Sequence, residues 1–123
     1  MLRYNKTVGA FGEAAAEKYL KKNKYKILDN NYNIRGGEID IIAEKDGYVV
    51  FVEVKTRTDS KFGTGAEAVT YNKRQRLTKA AKVYLTYKPE TDARFDVIEV
   101  FVSVDSEKMK VAGLTHIPNA FST

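Results

Sequence analysis

The chain has no cysteine, so disulfides, thiolate metal sites of the zinc-finger kind and cysteine nucleophiles are excluded at the outset. A single histidine, His116, rules out a histidine-rich metal centre. No apolar run is long enough to span a bilayer. The opening residues, Met1-Leu2-Arg3-Tyr4-Asn5-Lys6, do not lead into the hydrophobic stretch of a signal peptide. Internal repeats, low-complexity tracts and an interdomain linker are also missing. Gly63-Thr64-Gly65 is not followed by the Lys-Ser/Thr of a phosphate loop, which excludes nucleotide binding through that motif. These absences leave the expectation of a soluble, cytoplasmic protein with no membrane partner.

What is present suits one folded unit spanning 1–123. Hydrophobic residues make up 43% of 123 positions, enough for a real core. The formal net charge of +5 favours a polyanionic partner without requiring one.

The stretch from Gly36 to Lys55 organises the rest. Two apolar runs flank Asp46-Gly47, a two-residue hairpin signal because both turn positions need positive φ. Counting outward from that turn sets Lys45 against Tyr48, Ala43 against Val50 and Ile41 against Val52. Two further pairs follow, Asp40 against Glu53 and Glu38 against Lys55. Alternation puts Lys55 on the sheet face of Glu53. Asp40, Glu53 and Lys55 are therefore expected to meet on one face. Like charges directly opposed in a sheet destabilise it, and Tyr48 to Val54 reads as a strand buried on both faces. Charges at its end need compensation. A divalent cation supplies it, and two carboxylates with water suit Mg²⁺.

Around this hairpin the periodicity predicts a helix from about Thr7 to Lys22, capped by Thr7, with Val8, Phe11, Ala15 and Tyr19 on its buried stripe and Glu13 at the edge of that stripe. A weak strand, Tyr25 to Ile34, bends through Arg35-Gly36-Gly37 into the hairpin. Thr56 to Gly65 reads as a mobile polar loop. A second helix is expected from about Asn72 to Tyr87, ended by Pro89, with Leu77, Ala80, Ala81, Tyr84 and Leu85 buried. Lys73, Arg74, Arg76, Lys79 and Lys82 lie on it with no acidic residue among them, a bias that helical ion pairing does not explain. A strand from Arg94 to Val104 carries Asp96, Ile98, Val100 and Val102 on one face. It turns through Asp105-Ser106-Glu107-Lys108 into Met109 to Leu114, and Thr115 to Phe121 forms a tail. An antiparallel meander followed by a strand–helix–strand crossover makes a mixed sheet of about five strands flanked by helices, an α/β layered fold.

The plainer readings are these. Glu38 pairs with Lys55. Glu53 and Lys55 form an ion pair on a solvated strand end. Tyr71, Tyr84 and Tyr87 serve helix packing. Asp96 makes a structural hydrogen bond, and His116 is structural.

Asp40, then Glu53-Val54-Lys55 after a hairpin, resembles the PD-(D/E)xK signature of the restriction-endonuclease-like superfamily, and the element order resembles its αβββαβ core. More closely, the chain resembles the YraN-like family of small bacterial proteins. The residues that carry this are Gly12-Glu13 with Ala16, Gly37-Glu38-Ile39-Asp40-Ile41-Ile42-Ala43, Phe51-Val52-Glu53-Val54-Lys55-Thr56-Arg57, Ala68-Val69-Thr70 with Lys73, Arg94-Phe95-Asp96-Val97 and Ile117-Pro118-Asn119-Ala120-Phe121. One departure stands out: Ile39, not proline, precedes Asp40.

The resemblance implies a nuclease that uses Mg²⁺ or Mn²⁺ to hydrolyse DNA phosphodiesters, on branched or single-stranded DNA. Asp40, Glu53 and the Val54 carbonyl are the implied metal ligands. Glu13 is implied as a third side-chain ligand or as the group that orients a bound water. Lys55 would hold the attacking water or stabilise charge on the transition state. Arg57, Lys73, Arg74 and Arg76 would contact flanking phosphates. Resolvase-like cleavage of two strands would need a homodimer. Two alternatives stand beside this reading: a nucleic-acid-binding protein without catalysis, and a protein-interaction module on a degenerate nuclease fold.

Overall fold

The computed structural model describes residues 2–58, 70–106 and 108–121. Helix α1 (Leu2–Lys22) precedes strands β1 (Lys26–Ile34), β2 (Gly37–Lys45) and β3 (Tyr48–Arg57). Helix α2 (Tyr71–Leu85) and strands β4 (Asp92–Asp105) and β5 (Lys108–Phe121) follow. The strands form one sheet in chain order. β1, β2 and β3 are an antiparallel meander, β3 and β4 are parallel, and β4 and β5 are antiparallel. This is the mixed α/β sheet expected from the sequence. Asp46 and Gly47 take positive φ, at 49° and 85°. The hairpin register is the one counted from them, with Lys45 opposite Tyr48 and Ile41 opposite Val52.

Each sheet face has its own core. Val8, Ala16 and Leu20 of α1 pack on Ile41, Val50, Val52, Ile98 and Val100. Leu77, Ala80 and Ala81 of α2 pack on Ile39, Ile42, Val49, Phe51 and Val97. The central strand β3 is thus covered on both sides, which accounts for its unbroken apolar run. Ile39 and Ile41, two residues apart, lie on opposite faces, although regular alternation would put them on one. β2 therefore rolls over at Asp40, the residue between them. Two glycines bring the helices close. A Cβ on Gly12 would stand 2.0 Å from Thr56 Oγ1, and one on Gly37 would stand 2.6 Å from the Arg76 carbonyl. The first contact seats α1 on the end of β3, and the next residue, Glu13, lies beside Asn30 and Asn31 of β1. The second seats α2 on the start of β2.

Several boundaries differ from expectation. α1 starts at Leu2, with Thr7 inside it, because Leu2 to Lys6 contains no helix breaker and propensity outweighs the capping signal. β3 runs on through Thr56 and Arg57, which pair with Val100 and Phe101 where a loop was expected. The rest of that expected loop, from 59 onward, lies outside the described residues, as does Glu107 of the β4–β5 turn. β5 continues to Phe121 and absorbs the expected tail. Pro118 is tolerated there because β5 is an edge strand and its ladder shifts register between Phe95 and Val97. Tyr71 and Tyr87 are 73% and 82% exposed, contrary to the packing role expected of them, since both lie off the Leu77–Ala80–Ala81 stripe. Only Tyr84 packs, edge-on against Tyr32 and Phe51. Among the described residues no helix is long and apolar enough to cross a membrane.

Asp96 is buried and fully engaged. It accepts hydrogen bonds from Arg94 Nε at 3.0 Å, Arg94 Nη2 at 3.2 Å, His116 Nε2 at 2.7 Å and the Asn119 N–H at 2.9 Å. An ionised carboxylate only accepts, so His116 Nε2 carries a proton, and Nδ1 lies 3.0 Å from the Tyr19 hydroxyl. The cluster ties α1, β4 and β5 together, and the structural readings of Asp96 and His116 hold. Burial alone would raise the Asp96 pKa. The His116, Arg94 and Asn119 donors outweigh it and hold the carboxyl below its ordinary 3.8.

Removing the acid leaves the Arg94 guanidinium, still bonded to the Tyr25 hydroxyl, without its counter-charge, so Asp96→Ala should lose about 3 kcal/mol of stability at pH 7 in urea denaturation. The native pKa is depressed, so this stabilisation is full above about pH 3.8 and is lost as pH falls through the native value. The gap between wild type and variant should narrow on the acid side. Gly12→Ala should cost about 1–3 kcal/mol in the same assay, because α1 must lift from Thr56.

Candidate metal and phosphate site where β2 and β3 part

The β2–β3 ladder stops at Ile41 and Val52, while β3 continues to Arg57 paired only with β4. The outward count had continued to Asp40–Glu53 and Glu38–Lys55, but those backbone pairs do not form. β2 instead stays with β1 as far as Gly37, opposite Ile34, and leaves β3. A gap opens in the sheet plane, and the Asp40 side chain fills it. Its Oδ2 accepts the Val54 N–H at 2.8 Å, in place of a backbone carbonyl. The N–H and C=O of one antiparallel strand residue point to the same neighbour, so the Val54 carbonyl also faces this gap.

Glu53 lies on the α2 face of β3, next to Asp40 and almost fully buried. Burial first, then the hydrogen bond and charge of Asp40, push its pKa up to about 8, against an opposing pull from Lys73. Lys73 comes from the first turn of α2, and its Nζ stands 2.8 Å from Glu53 Oε2. That contact misses the angles of a hydrogen bond, so the attraction is Coulombic and the buried oxygen keeps no donor. Burial opposes the charge on Lys73, but the Glu53, Asp40 and Glu38 carboxylates outweigh it and raise the ammonium pKa.

The other expected site residues are placed as follows. Glu13 is half-buried. Burial, and next the Asp40 charge, raise its pKa, while the Asn31 side chain opposes them. Lys55 lies on the same β3 face as Glu53, opposite Glu99 of β4, and forms no ion pair among the described residues. Glu38 pairs with Arg76 at 3.3 Å, not with Lys55, because the register that would have opposed them ends earlier. Arg57 Nε binds Glu99 Oε2 at 3.0 Å. The Arg74 guanidinium lies 5.2 Å from the centre of the Phe121 ring. Of the four cations expected at phosphates, Lys73 and Arg76 stand at the acids of the gap, Arg57 is held farther along the same sheet face, and Arg74 is turned toward the end of β5.

Sequence reasoning passed over Glu99, which is 2% exposed. Its signal was available: an acid sharing a strand face with Val97 inside an otherwise apolar run.

Among the described residues no three acidic or histidine side chains gather into a metal-binding group, so Glu13 stands apart from Asp40 and Glu53 as a ligand. The remaining donor set is the adjacent Asp40 and Glu53 carboxylates, the second with its buried Oε2, and the Val54 backbone carbonyl facing the same gap. That set fits a hard divalent ion, which takes one or two carboxylates and keeps several waters.

A mixed sheet in αβββα order, with an aspartate and a Glu-x-Lys strand meeting where two strands part, defines an α/β protein of restriction-endonuclease-like architecture. The chain belongs to the uncharacterised protein family UPF0102, whose profile matches residues 12–100, in keeping with the YraN-like resemblance. It is 42% identical over 123 residues to a UPF0102 protein of Clostridium beijerinckii, covering 98% of each chain. It is 46% identical over 122 residues to one of Caldanaerobacter subterraneus subsp. tengcongensis, covering 94% of this chain and 95% of the relative. A Geobacter metallireducens UPF0102 protein is 44% identical over 123 residues, covering 98% and 97%.

The Glu53 pKa is raised on folding, so its contribution to stability is full below about pH 4.5 and is lost as pH rises through about 8. Glu53→Gln should remove that slope. Melting temperatures measured from pH 5 to 9 in EDTA should fall less steeply for the variant than for the wild type.

Proposed function

We propose that this protein is a divalent-metal-dependent nuclease that hydrolyses DNA phosphodiesters. The observation that carries the reading is the adjacent Asp40–Glu53 pair, with a nearly buried carboxylate oxygen that has no hydrogen-bond donor. Burying two neighbouring acids costs stability, which the Lys73 ammonium at 2.8 Å offsets in part and a divalent cation would offset further. Asp40, Glu53 and the Val54 carbonyl are the groups that would hold Mg²⁺ or Mn²⁺. When bound, such an ion polarises a phosphoryl oxygen and lowers the pKa of its water. Lys55, extending from the same strand face as Glu53, positions the attacking water and offsets charge that develops on the phosphate. Glu13, which holds a proton more readily than an ordinary glutamate, is suited to orient or deprotonate a water above Asp40. Arg76 and Lys73 supply positive charge at the gap for flanking phosphates, and Arg57 and Arg74 supply it farther out. Branched or single-stranded DNA is the proposed substrate, and symmetric cleavage of two strands calls for a second copy of the chain.

One observation favours a second reading, nucleic-acid binding without hydrolysis. The Lys73 ammonium already lies against Glu53, where it balances part of the acidic charge. The two readings separate in one assay. Linear, branched and single-stranded DNAs are incubated with Mn²⁺ and wild type, Asp40→Ala or Lys55→Ala protein. The nuclease reading requires cleavage by the wild type and a loss of at least about 100-fold in each variant, as for removal of a transition-state contact. Equal residual cleavage in all three is contamination, and salt-sensitive binding without cleavage supports the second reading. Metal ligands must be deprotonated, so the wild-type rate should climb with pH until Glu53 ionises near 8.

A further inference from the structure

Lys73 is poorly placed by the rules of its own helix. The dipole disfavours a cation in the first turn, and that turn holds no acid to compensate. Glu53 of β3 is what holds it there, at 2.8 Å. The two partners differ in freedom. The lysine side chain is 34% exposed and reaches in from solvent, whereas the glutamate is 3% exposed and fixed on the central strand. The pairing is also incomplete, because Oε2 receives no directed hydrogen bond from the ammonium. Once both carboxylates are ionised, a single ammonium leaves an excess negative charge, and a divalent cation would cancel it. Ammonium and metal cannot both sit on this oxygen: at contact distance, in a partly buried site, their repulsion is on the order of several kcal/mol.

We propose that Lys73 is the resident counter-ion of the Asp40–Glu53 pair, that a divalent cation displaces its ammonium, and that the freed ammonium then binds a backbone phosphate of DNA. This rests on the metal-dependent reading above and assigns the order in which that site is loaded. Arg76 is tied to Glu38 and Arg57 to Glu99, and Lys55 makes no ion pair among the described residues, so Lys73 is the cation that a metal at Glu53 would displace. Metal binding adds one phosphate-binding cation to the surface, and by reciprocity bound DNA strengthens metal binding.

The salt dependence of DNA affinity tests this, because each phosphate contact adds about 0.9 to the slope of log K against log salt. A short linear DNA duplex is titrated by fluorescence anisotropy with wild type, Lys73→Met and Lys73→Arg, in EDTA and in Ca²⁺. In EDTA the wild-type and Lys73→Met slopes should coincide, since Glu53 holds the lysine. In Ca²⁺ the wild-type slope should exceed that of Lys73→Met by about 0.9. Lys73→Arg, which keeps the charge, should follow the wild type and controls for folding. A difference of equal size in both conditions makes Lys73 an ordinary phosphate contact, and no difference in either makes it a structural ion pair; both overturn the exchange. Thermal melting with Mn²⁺ separates this failure from that of the parent reading. A wild-type melting temperature that Mn²⁺ leaves unmoved removes the metal site and the exchange together. A shifted one with coincident slopes in Ca²⁺ removes the exchange alone.

Discussion

One hydrogen bond decides the shape of the candidate site: the Val54 N–H donates to the Asp40 carboxylate where a β2 carbonyl would otherwise accept. A β-ladder that ends in the middle of two long strands normally leaves backbone donors unsatisfied, and buried ones are costly. Here a side chain satisfies the donor, so β2 can leave β3 without an orphaned N–H. The departure creates the gap, turns the Val54 carbonyl into it and brings Asp40 against Glu53. The roll of β2 at Asp40, seen in the opposite burial of Ile39 and Ile41, belongs to the same event. It gives up regular alternation at one residue and places a carboxylate in the plane of the sheet, between the two helical layers.

Local stability and site chemistry pull in opposite directions there. The cores above and below β3 are apolar and closely packed, and Gly12 and Gly37 let both helices approach the sheet. Against that background Glu53 is held near Asp40 at a pKa far above that of a free glutamate. The Asp96 cluster shows the contrast. That acid is equally buried, but four donors satisfy it and its pKa falls. Two buried acids in one small sheet thus have opposite electrostatics, and the difference is the number of donors each receives. The satisfied one holds β4, β5 and α1 together, whereas Glu53 has beside it the Lys73 ammonium and the neighbouring Asp40 carboxylate.

The architecture was legible in the sequence because its strongest signals are local. Asp46-Gly47 set the turn and therefore the pairing of Ile41 with Val52, and the apolar run from Tyr48 marked a strand covered on both faces. The strand ends were less legible. Register counting assumes that a ladder continues, and nothing in the order Glu38-Ile39-Asp40 shows that β2 will leave β3. The adjacency of Asp40 and Glu53 was therefore foreseen, but by the wrong geometry: a backbone pair in place of an open gap. Partner choice was harder still. Which cation reaches Glu53 or Glu38 depends on where α2 is seated, and that is set by Gly37 against the Arg76 carbonyl, a contact distant in sequence. Glu99 is hard to read because it shares the face of β4 opposite Asp96, in an otherwise apolar run. The direction of the α2 stripe turns Tyr71 and Tyr87 away from the core.

The strand order has a consequence for how the chain assembles. Strands one to three, and four with five, can each close by neighbouring hairpins whose contacts are near in sequence. Only the parallel seam between β3 and β4 joins segments separated by a helix and its connections. Among the strand pairings, loop closure across that crossover carries the largest entropic penalty, a cost that slows folding. Glu53 and Lys55 lie on β3 along this seam, opposite Val97 and Glu99. The Asp40–Val54 contact of the candidate site thus needs only a local hairpin, whereas Glu99 comes to face Lys55 only when the crossover closes and joins the two halves of the chain.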